Sequence, residues 1–265
     1  MTAKTITGTA AGVPFVALAP ANVTGPAPLI VTWHLMDAPA GEAAMAAAIP
    51  MTGVPAWRVH FGLPMTGKRL PEGGYDEFFR LSGEDYVLNV AEPVTDQGAS
   101  EFPAALVDLR KQLSIADGPV GVVGGSAGGA VALEVLARGD VEISAAALIN
   151  PVTQLAPAVA ANERRFGVVY SWTDRSRAVA ERFDFVRRAE EITADVLFVC
   201  GENDDISILE PAALLVAELG DRAEMVSIPG MGHAFADAPG IEPAPQNADA
   251  LRVDAALTEW FLKRL

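Results

Sequence analysis

The stretch from Pro119 to Ala130 constrains the fold of this chain more than any other part of the sequence. An apolar run ends there in Gly-Gly-Ser-Ala-Gly, with Ser126 at its centre, and small residues follow at once. This order predicts a buried strand, a tight turn at Ser126 and a helix that starts directly after the turn. Gly124 and Gly128 would let strand and helix pass closely, so that the serine hydroxyl stands clear beside the N–H groups of the helix N-terminus.

Strand-like and helix-like runs alternate from residue 29 onward. Such alternation is typical of an α/β protein whose mostly parallel central sheet carries helices on both faces. Two short runs at 4–8 and 14–19 precede it and predict an antiparallel pair of strands at one edge. Besides the strand before Ser126, strands are expected at residues 29–35, 57–61, 145–149, 195–200 and 223–228.

Helices are expected between these strands, but two segments give no such signal. Residues 65–97 are rich in Gly, Pro and acidic residues and predict a long irregular loop. Residues 153–194 contain no strong strand pattern. The expected helices cover residues 41–49, 100–113, 127–138, 211–219 and 247–263.

Composition favours a single domain over residues 1–265, because 51% of the residues are apolar and can form a large core. No apolar run approaches the roughly 20 residues of a membrane span. The first eight residues lack the layout of a signal peptide, so we expect a cytoplasmic protein. The net charge of −15 argues against nucleic acid or an anionic membrane as a partner, and the oligomeric state cannot be read from the sequence.

A serine nucleophile needs a base that takes its proton and an acid that orients the base. The chain has three histidines, His34, His60 and His233, and His233 alone follows Ser126. The order serine, acid, histidine therefore selects His233 as the base. It lies in a loop rich in Gly and Pro just after an expected strand, where it could lean over the end of the sheet.

The acid is expected between the serine and the histidine. Glu202, Asp204 and Asp205 follow the strand at 195–200. Asp204, three residues after Gly201, is the expected acid, and Asp205 is the alternative. The segment could also be an Asn-Asp turn that only caps the next helix.

Together the motifs resemble those of the α/β-hydrolase superfamily over residues 4–265. Three of them occur in that family's order, each just after an expected strand: the Gly-x-Ser-x-Gly elbow, Gly201-x-x-Asp204 and Gly232-His233-x-Phe235. The last motif resembles dienelactone-hydrolase-like and carboxylesterase-like members, and the elbow resembles that of hormone-sensitive-lipase-like esterases. The chain departs from these groups in having Ser126 where dienelactone hydrolases carry a cysteine, and in lacking a His-Gly-Gly-Gly motif.

The resemblance also implies an oxyanion hole made of backbone N–H groups. One donor is expected at Ala127, next to the nucleophile, and the other in the loop after the strand at 29–35. The family's His-Gly pair aligns with His34-Leu35, which makes Met36 the expected second donor and Leu35 the alternative. His34 would then brace this loop.

Residues 153–194 fall where many hydrolases insert a small helical cap. They combine aromatic residues with seven arginines inside 164–188, which suggests either a cap that admits an ester or anionic acyl substrate, or simply a charged helical face. A substrate pocket would be lined by His34, Tyr170, Trp172 and Phe235.

These patterns predict a serine hydrolase that cleaves a small carboxylic ester through an acyl-enzyme intermediate. A lactone, a thioester or a short peptide would suit the same triad, and a hydrolase-fold receptor without catalysis is the alternative of another class. No cofactor is expected, because the chain has neither a phosphate-binding glycine motif nor metal-ligand spacing.

Overall fold

The computed structural model describes residues 4–21 and 23–265, in which eight strands form one sheet. The strands are β1 (Thr5–Ala10), β2 (Val13–Leu18), β3 (Leu29–Trp33), β4 (Trp57–Phe61), β5 (Val120–Gly125), β6 (Ile143–Ile149), β7 (Asp195–Gly201) and β8 (Ala223–Ile228). They lie in the order β1-β2-β4-β3-β5-β6-β7-β8. All neighbouring pairs from β4 to β8 are parallel, whereas β1, β2 and β4 pair antiparallel. The predicted parallel sheet with an antiparallel N-terminal edge is confirmed.

Along the sequence, the first eight helices lie between strands and the last helix follows β8. They are α1 (Glu42–Ala48), α2 (Gly74–Tyr86), α3 (Glu92–Ser100), α4 (Phe102–Gln112), α5 (Ala127–Arg138), α6 (Leu155–Phe166), α7 (Asp174–Arg182), α8 (Ile206–Leu219) and α9 (Ala248–Leu262). A π-helical turn, Val87–Ala91, joins α2 to α3. No helix within residues 4–21 and 23–265 has both the length and the apolar character needed to cross a membrane.

Both faces of the sheet are buried, which explains the continuous apolar runs of its inner strands. Successive residues of β5 point to opposite sides: Val122 packs with the core that includes α3, α4 and α5, and Val123 with the core that includes α1 and α9. Helices on both faces were predicted, and the structure confirms them.

The expectation of a long irregular loop at 65–97 was wrong, because α2, the π-helical turn and most of α3 occupy this segment. Two residues that read as loop signals there, Gly73 and Pro93, lie at positions that helices tolerate. Gly73 stands before the first turn of α2, and Pro93 lies within the first turn of α3, where no backbone donor is required. Asp85 has an extended backbone and interrupts the helical run.

Residues 153–194 form α6, α7 and a short 3₁₀-helix, Ala189–Glu191, between β6 and β7. Arg182 from this segment pairs with Glu92 and Asp96 of α3, and Arg188 pairs with Glu134 of α5. The segment is therefore tied by ion pairs to the helices that cover one face of the sheet.

The crossing of β5 and α5 should tolerate no side chain at Gly128. A Cβ there would lie 2.4 Å from the carbonyl oxygen of Trp33 and 2.5 Å from that of His34, and neither backbone can give way. We expect Gly128→Ala to lower the free energy of unfolding by about 3 kcal/mol in urea titrations. Gly83→Ala is the matched control: Gly83 lies on an exposed helix with open space around it, so the control should gain up to about 1 kcal/mol. Equal stabilities would contradict this view of the crossing.

Candidate active site

Ser126 occupies a strained turn between β5 and α5. Its φ of 49° and ψ of −114° place a non-glycine residue in a backbone region that costs about 1–3 kcal/mol. The neighbouring strand holds it there, since the Ser126 N–H donates to Ile149 O at 2.9 Å. On the other side the Ser126 carbonyl accepts from Gly129 and Val152. The turn projects the hydroxyl beyond the carboxyl end of the sheet, as the sequence predicted.

Three side chains from three loops meet at this point. The Ser126 hydroxyl lies 2.8 Å from His233 Nε2, and His233 Nδ1 lies 2.9 and 3.0 Å from the two carboxylate oxygens of Asp204. The Asp204 side chain is 1% exposed and that of His233 is 23% exposed. In a relay of this geometry a histidine can take a proton from a hydroxyl while a buried carboxylate fixes the tautomer of the ring.

Asp204 and Asp205, the two candidate acids, point in different directions. Asp205 accepts a hydrogen bond from the backbone of Ser207 and caps α8, and it pairs with Arg164 at 2.6 Å. The Asp204 carboxylate faces His233 instead and also accepts from the Asp205 N–H. The capping role considered for this segment thus falls to Asp205.

Asn150 joins the loops that carry the acid and the histidine. Its side-chain amide donates to the carbonyl oxygens of Gly232 and His233, at 2.9 and 2.8 Å, and its side-chain oxygen accepts from Gly201 at 2.8 Å. The side chain is fully buried, and the residue has a φ of 42°, which asparagine tolerates better than most residues. Sequence reasoning missed this role, because Asn150 belongs to none of the motifs that single out Ser126, Asp204 and His233.

Met36, in the loop after β3, lines the same cavity as Ala127. Ala127 is the first residue of α5, so its N–H has no acceptor within the helix. His34 Nδ1 donates to the Leu35 carbonyl at 2.5 Å. Because a peptide unit is planar and trans, the N–H of Met36 points away from that carbonyl and away from His34. The Leu35 side chain, in contrast, is buried in the core against Gly125.

His34 is held as a neutral ring behind this loop. The N–H of Leu63 donates to its Nε2 at 3.1 Å, which requires the proton to be on Nδ1. Burial lowers the pKa of His34 to about 4, and it lowers that of His60 to about 3. His34 therefore braces the loop, the arrangement that the family resemblance implied.

A narrow apolar cavity opens beside Ala127 and Met36. Its volume is about 30 Å³. The lining side chains come from the loops after β3 and β6, from the run 86–95, from α5 and α6, and from the end of α7. They are Met36, Tyr86, Ala91, Val94, Thr95, Ala127, Ala130, Val152, Leu155, Ala158 and Phe183.

The four residues expected to form a substrate pocket do not line this cavity in the described part of the chain. His34 is buried behind the loop, and Phe235 packs in the core beneath the histidine loop. Tyr170 donates to Asp85 at 2.5 Å and contacts Trp172 edge to face. The pocket prediction failed because the sequence positions of these residues do not show which helices pack next to Ser126.

Within the described residues, 4–21 and 23–265, no group of three or more His, Cys, Asp or Glu side chains is arranged to hold a metal ion.

Residues 81–264 match the sequence profile of the prolyl oligopeptidase family, and this span includes Ser126, Asp204 and His233. The chain belongs to the prolyl oligopeptidase family. Its resemblance to the α/β hydrolases is thereby confirmed. No curated protein sequence matches the chain.

Solved structures share the fold at low sequence identity. An acylaminoacyl peptidase from Pyrococcus horikoshii superposes with a TM-score of 0.69 at 13% identity. The superposition covers all of this chain but only 42% of the length of the peptidase. The protein TT1662 from Thermus thermophilus gives 0.65 at 18% identity, and Est1E from Butyrivibrio proteoclasticus gives 0.62 at 17%. The last two are matched over 98% of this chain and over 99% and 98% of their own length.

The geometry predicts different outcomes for the two neighbouring aspartates. Asp204→Asn should lower kcat by about 10⁴, because an amide can stabilise neither the tautomer nor the charged form of His233. Asp205→Asn should change kcat less than about tenfold, since its carboxylate faces α8 and Arg164. Steady-state hydrolysis by both variants, with circular dichroism as a check of folding, measures this. The reverse ranking would make Asp205 the acid.

The two buried neutral histidines should make stability depend on pH. Both pKa values lie below about 6.5, the value of an unfolded histidine, so the unfolded chain binds more protons at mildly acidic pH. Stability is then full above pH 6.5 and falls as the pH drops towards 4, by up to about 1.4 kcal/mol per pH unit for each histidine. Urea titrations at pH 6 and 5 measure this slope, and His34→Gln should reduce it by about half. An unchanged slope would show that His34 takes up a proton in the folded state.

Proposed function

We propose that this chain hydrolyses small carboxylic esters through an acyl-enzyme intermediate on Ser126. The relay from Ser126 through His233 to Asp204, with donor–acceptor distances of 2.8 to 3.0 Å at a strained strand–helix turn, is the observation that supports this. The narrow apolar cavity beside the turn supports a short aliphatic acyl group.

In this mechanism the Ser126 hydroxyl passes its proton to His233 Nε2 as its oxygen attacks the ester carbonyl carbon. Asp204 stabilises the resulting imidazolium. The N–H groups of Ala127 and Met36 donate to the oxyanion. His233 then protonates the departing alcohol oxygen, which leaves the acyl group on Ser126. A water molecule then attacks the acyl carbonyl and gives a proton to His233. His233 returns this proton to the Ser126 oxygen as the bond between that oxygen and the acyl group breaks, which releases the acid and the free serine.

The second candidate is a peptidase for short or unblocked peptides, which family membership favours. The charges around the site favour the ester. A free peptide amine would need an unpaired carboxylate, but Asp37, which follows the proposed oxyanion donor Met36, is already paired with Arg165 through two hydrogen bonds. Est1E, a neighbour of nearly equal length, also has a structure with ferulic acid bound, and a carboxylic acid is what ester hydrolysis releases.

Further parts of this proposal concern partners and location. We propose a small-molecule substrate, no required cofactor and a cytoplasmic protein. The net charge of −15 supports the choice of a small-molecule partner, because it disfavours binding to nucleic acid and anionic lipid.

Acyl-chain selectivity tests the proposal. The cavity of about 30 Å³ is a fraction of the roughly 150 Å³ that accommodates benzene, so p-nitrophenyl acetate and butyrate should exceed the octanoate in kcat/KM. Phe183→Ala should shift the optimum to longer chains, since Phe183 lines the cavity. Phe185→Ala is the matched control, because Phe185 is equally buried and lies beside Phe183 but outside the lining.

A fluorophosphonate probe separates the candidate functions. Wild type should gain one adduct by intact mass, and Ser126→Ala none. Ester cleavage well above cleavage of the matching p-nitroanilides supports an esterase, and the opposite order supports the peptidase. A folded wild type that takes no adduct would contradict both and favour a receptor.

A further inference from the structure

Two consecutive arginines at the end of α6 reach loops on either side of the site. Arg165 donates to both carboxylate oxygens of Asp37, at 2.7 and 2.9 Å. Arg164 donates to the carboxylate of Asp205 and to the hydroxyl of Ser207, at 2.6 Å each. One helical turn is therefore bound to the loop after β3 and to the loop after β7.

These contacts fall directly beside the residues proposed to do the chemistry. Asp37 follows Met36, the proposed oxyanion donor, and Asp205 follows Asp204, the proposed acid. Neither arginine belongs to the triad itself. Each arginine therefore contacts a residue that is the chain neighbour of a proposed reacting group. The position of such a group strongly affects the reaction rate.

The sheet order shows what the end of α6 must span. β3 and β7 are three strand positions apart, with β5 and β6 between them. Neighbouring strands lie about 4.8 Å apart, so the two loops are separated by about 14 Å. Ser126 stands at the end of β5, inside this gap. The bound end of α6 therefore crosses the mouth of the site above the nucleophile.

We propose that Arg164 and Arg165 form an ionic clasp that fixes the end of α6 across the site and holds the oxyanion loop in its working position. The proposal rests on the proposed function of Ser126, Met36 and Asp204. Arg165 is a positioning residue in this scheme: it acts on the N–H of Met36 through Asp37 and does not touch the substrate.

The Asp37–Arg165 pair is ionic at neutral pH but open to solvent. Burial raises the pKa of the Asp37 carboxyl, but the hydrogen bonds and the charge of Arg165 outweigh burial, so this pKa stays below its ordinary value. The side chain of Arg165 is 54% exposed. Exposed charges are screened by salt, so the clasp should weaken as the ionic strength rises.

The rate at which the fluorophosphonate labels Ser126 tests the clasp, because the probe needs the nucleophile and the oxyanion donors but no particular substrate. Arg165→Ala and Asp37→Asn should each lower this rate, and kcat for a short ester, by about fivefold with KM nearly unchanged. The double variant should be no slower than either single one, since both remove the same interaction. Exchanging the charges, with Asp37→Arg and Arg165→Asp together, should restore part of the rate.

Salt provides a second measurement. At about 1 M salt, where charges are screened beyond about 3 Å, wild type should slow by a factor similar to that of Arg165→Ala, and the variant should not slow further. Arg80→Ala is the matched control. Arg80 is 52% exposed and binds both oxygens of Glu77, but the pair lies within α2, so its removal should leave the labelling rate and the salt response unchanged.

Three outcomes would overturn the clasp: an unchanged labelling rate in folded Arg165→Ala, single effects that multiply in the double variant, or an equal loss in Arg80→Ala. A lower melting temperature with unchanged kcat would reduce Arg165 to a stabilising role. If wild type is labelled but cleaves no ester, the proposed ester specificity fails and the labelling rates still test the clasp. If wild type is not labelled at all, both proposals fail.

Discussion

The site depends on a contact between backbones that leaves no room for side chains. β5 and α5 cross so closely that a Cβ at Gly124 would lie 2.2 Å from the carbonyl oxygen of Gly128. The end of β3 presses against the same crossing from the other side. The chain can make this crossing only through a sharp turn, and the turn forces Ser126 into its strained conformation. The surrounding sheet stabilises the strain, since the neighbouring strands are buried on both faces.

A parallel sheet brings distant parts of the sequence together, because the carboxyl ends of its strands meet at one edge. Ser126, Asp204 and His233 follow β5, β7 and β8 and approach to hydrogen-bonding distance there. Such an edge exposes many backbone groups, and Asn150 satisfies three of them with one buried amide. The loops that carry His233 and Asp204 are thereby fixed to each other independently of the hydrogen bonds between these two side chains.

Local patterns predicted the parts of the structure that depend on local chemistry. The elbow, the alternating strands and the antiparallel edge could be predicted because each depends on neighbouring residues, and His233 followed from chain order. The helices in 65–97 were missed because Gly73 and Pro93 were taken as loop signals, although both stand where a helix begins. The cavity lining could not be predicted, since it depends on how α3 and α6 pack over the sheet.

The cavity walls come mainly from helices, whereas the relay comes from loops at the sheet edge. Four of the lining residues are alanines, Ala91, Ala127, Ala130 and Ala158. Because these side chains are small, larger residues at the same positions would fill the cavity. A single exchange at Ala91 or Ala158 would change the room available to a substrate without disturbing a strand. Selectivity can therefore diverge between descendants of this chain while the reacting groups are inherited unchanged.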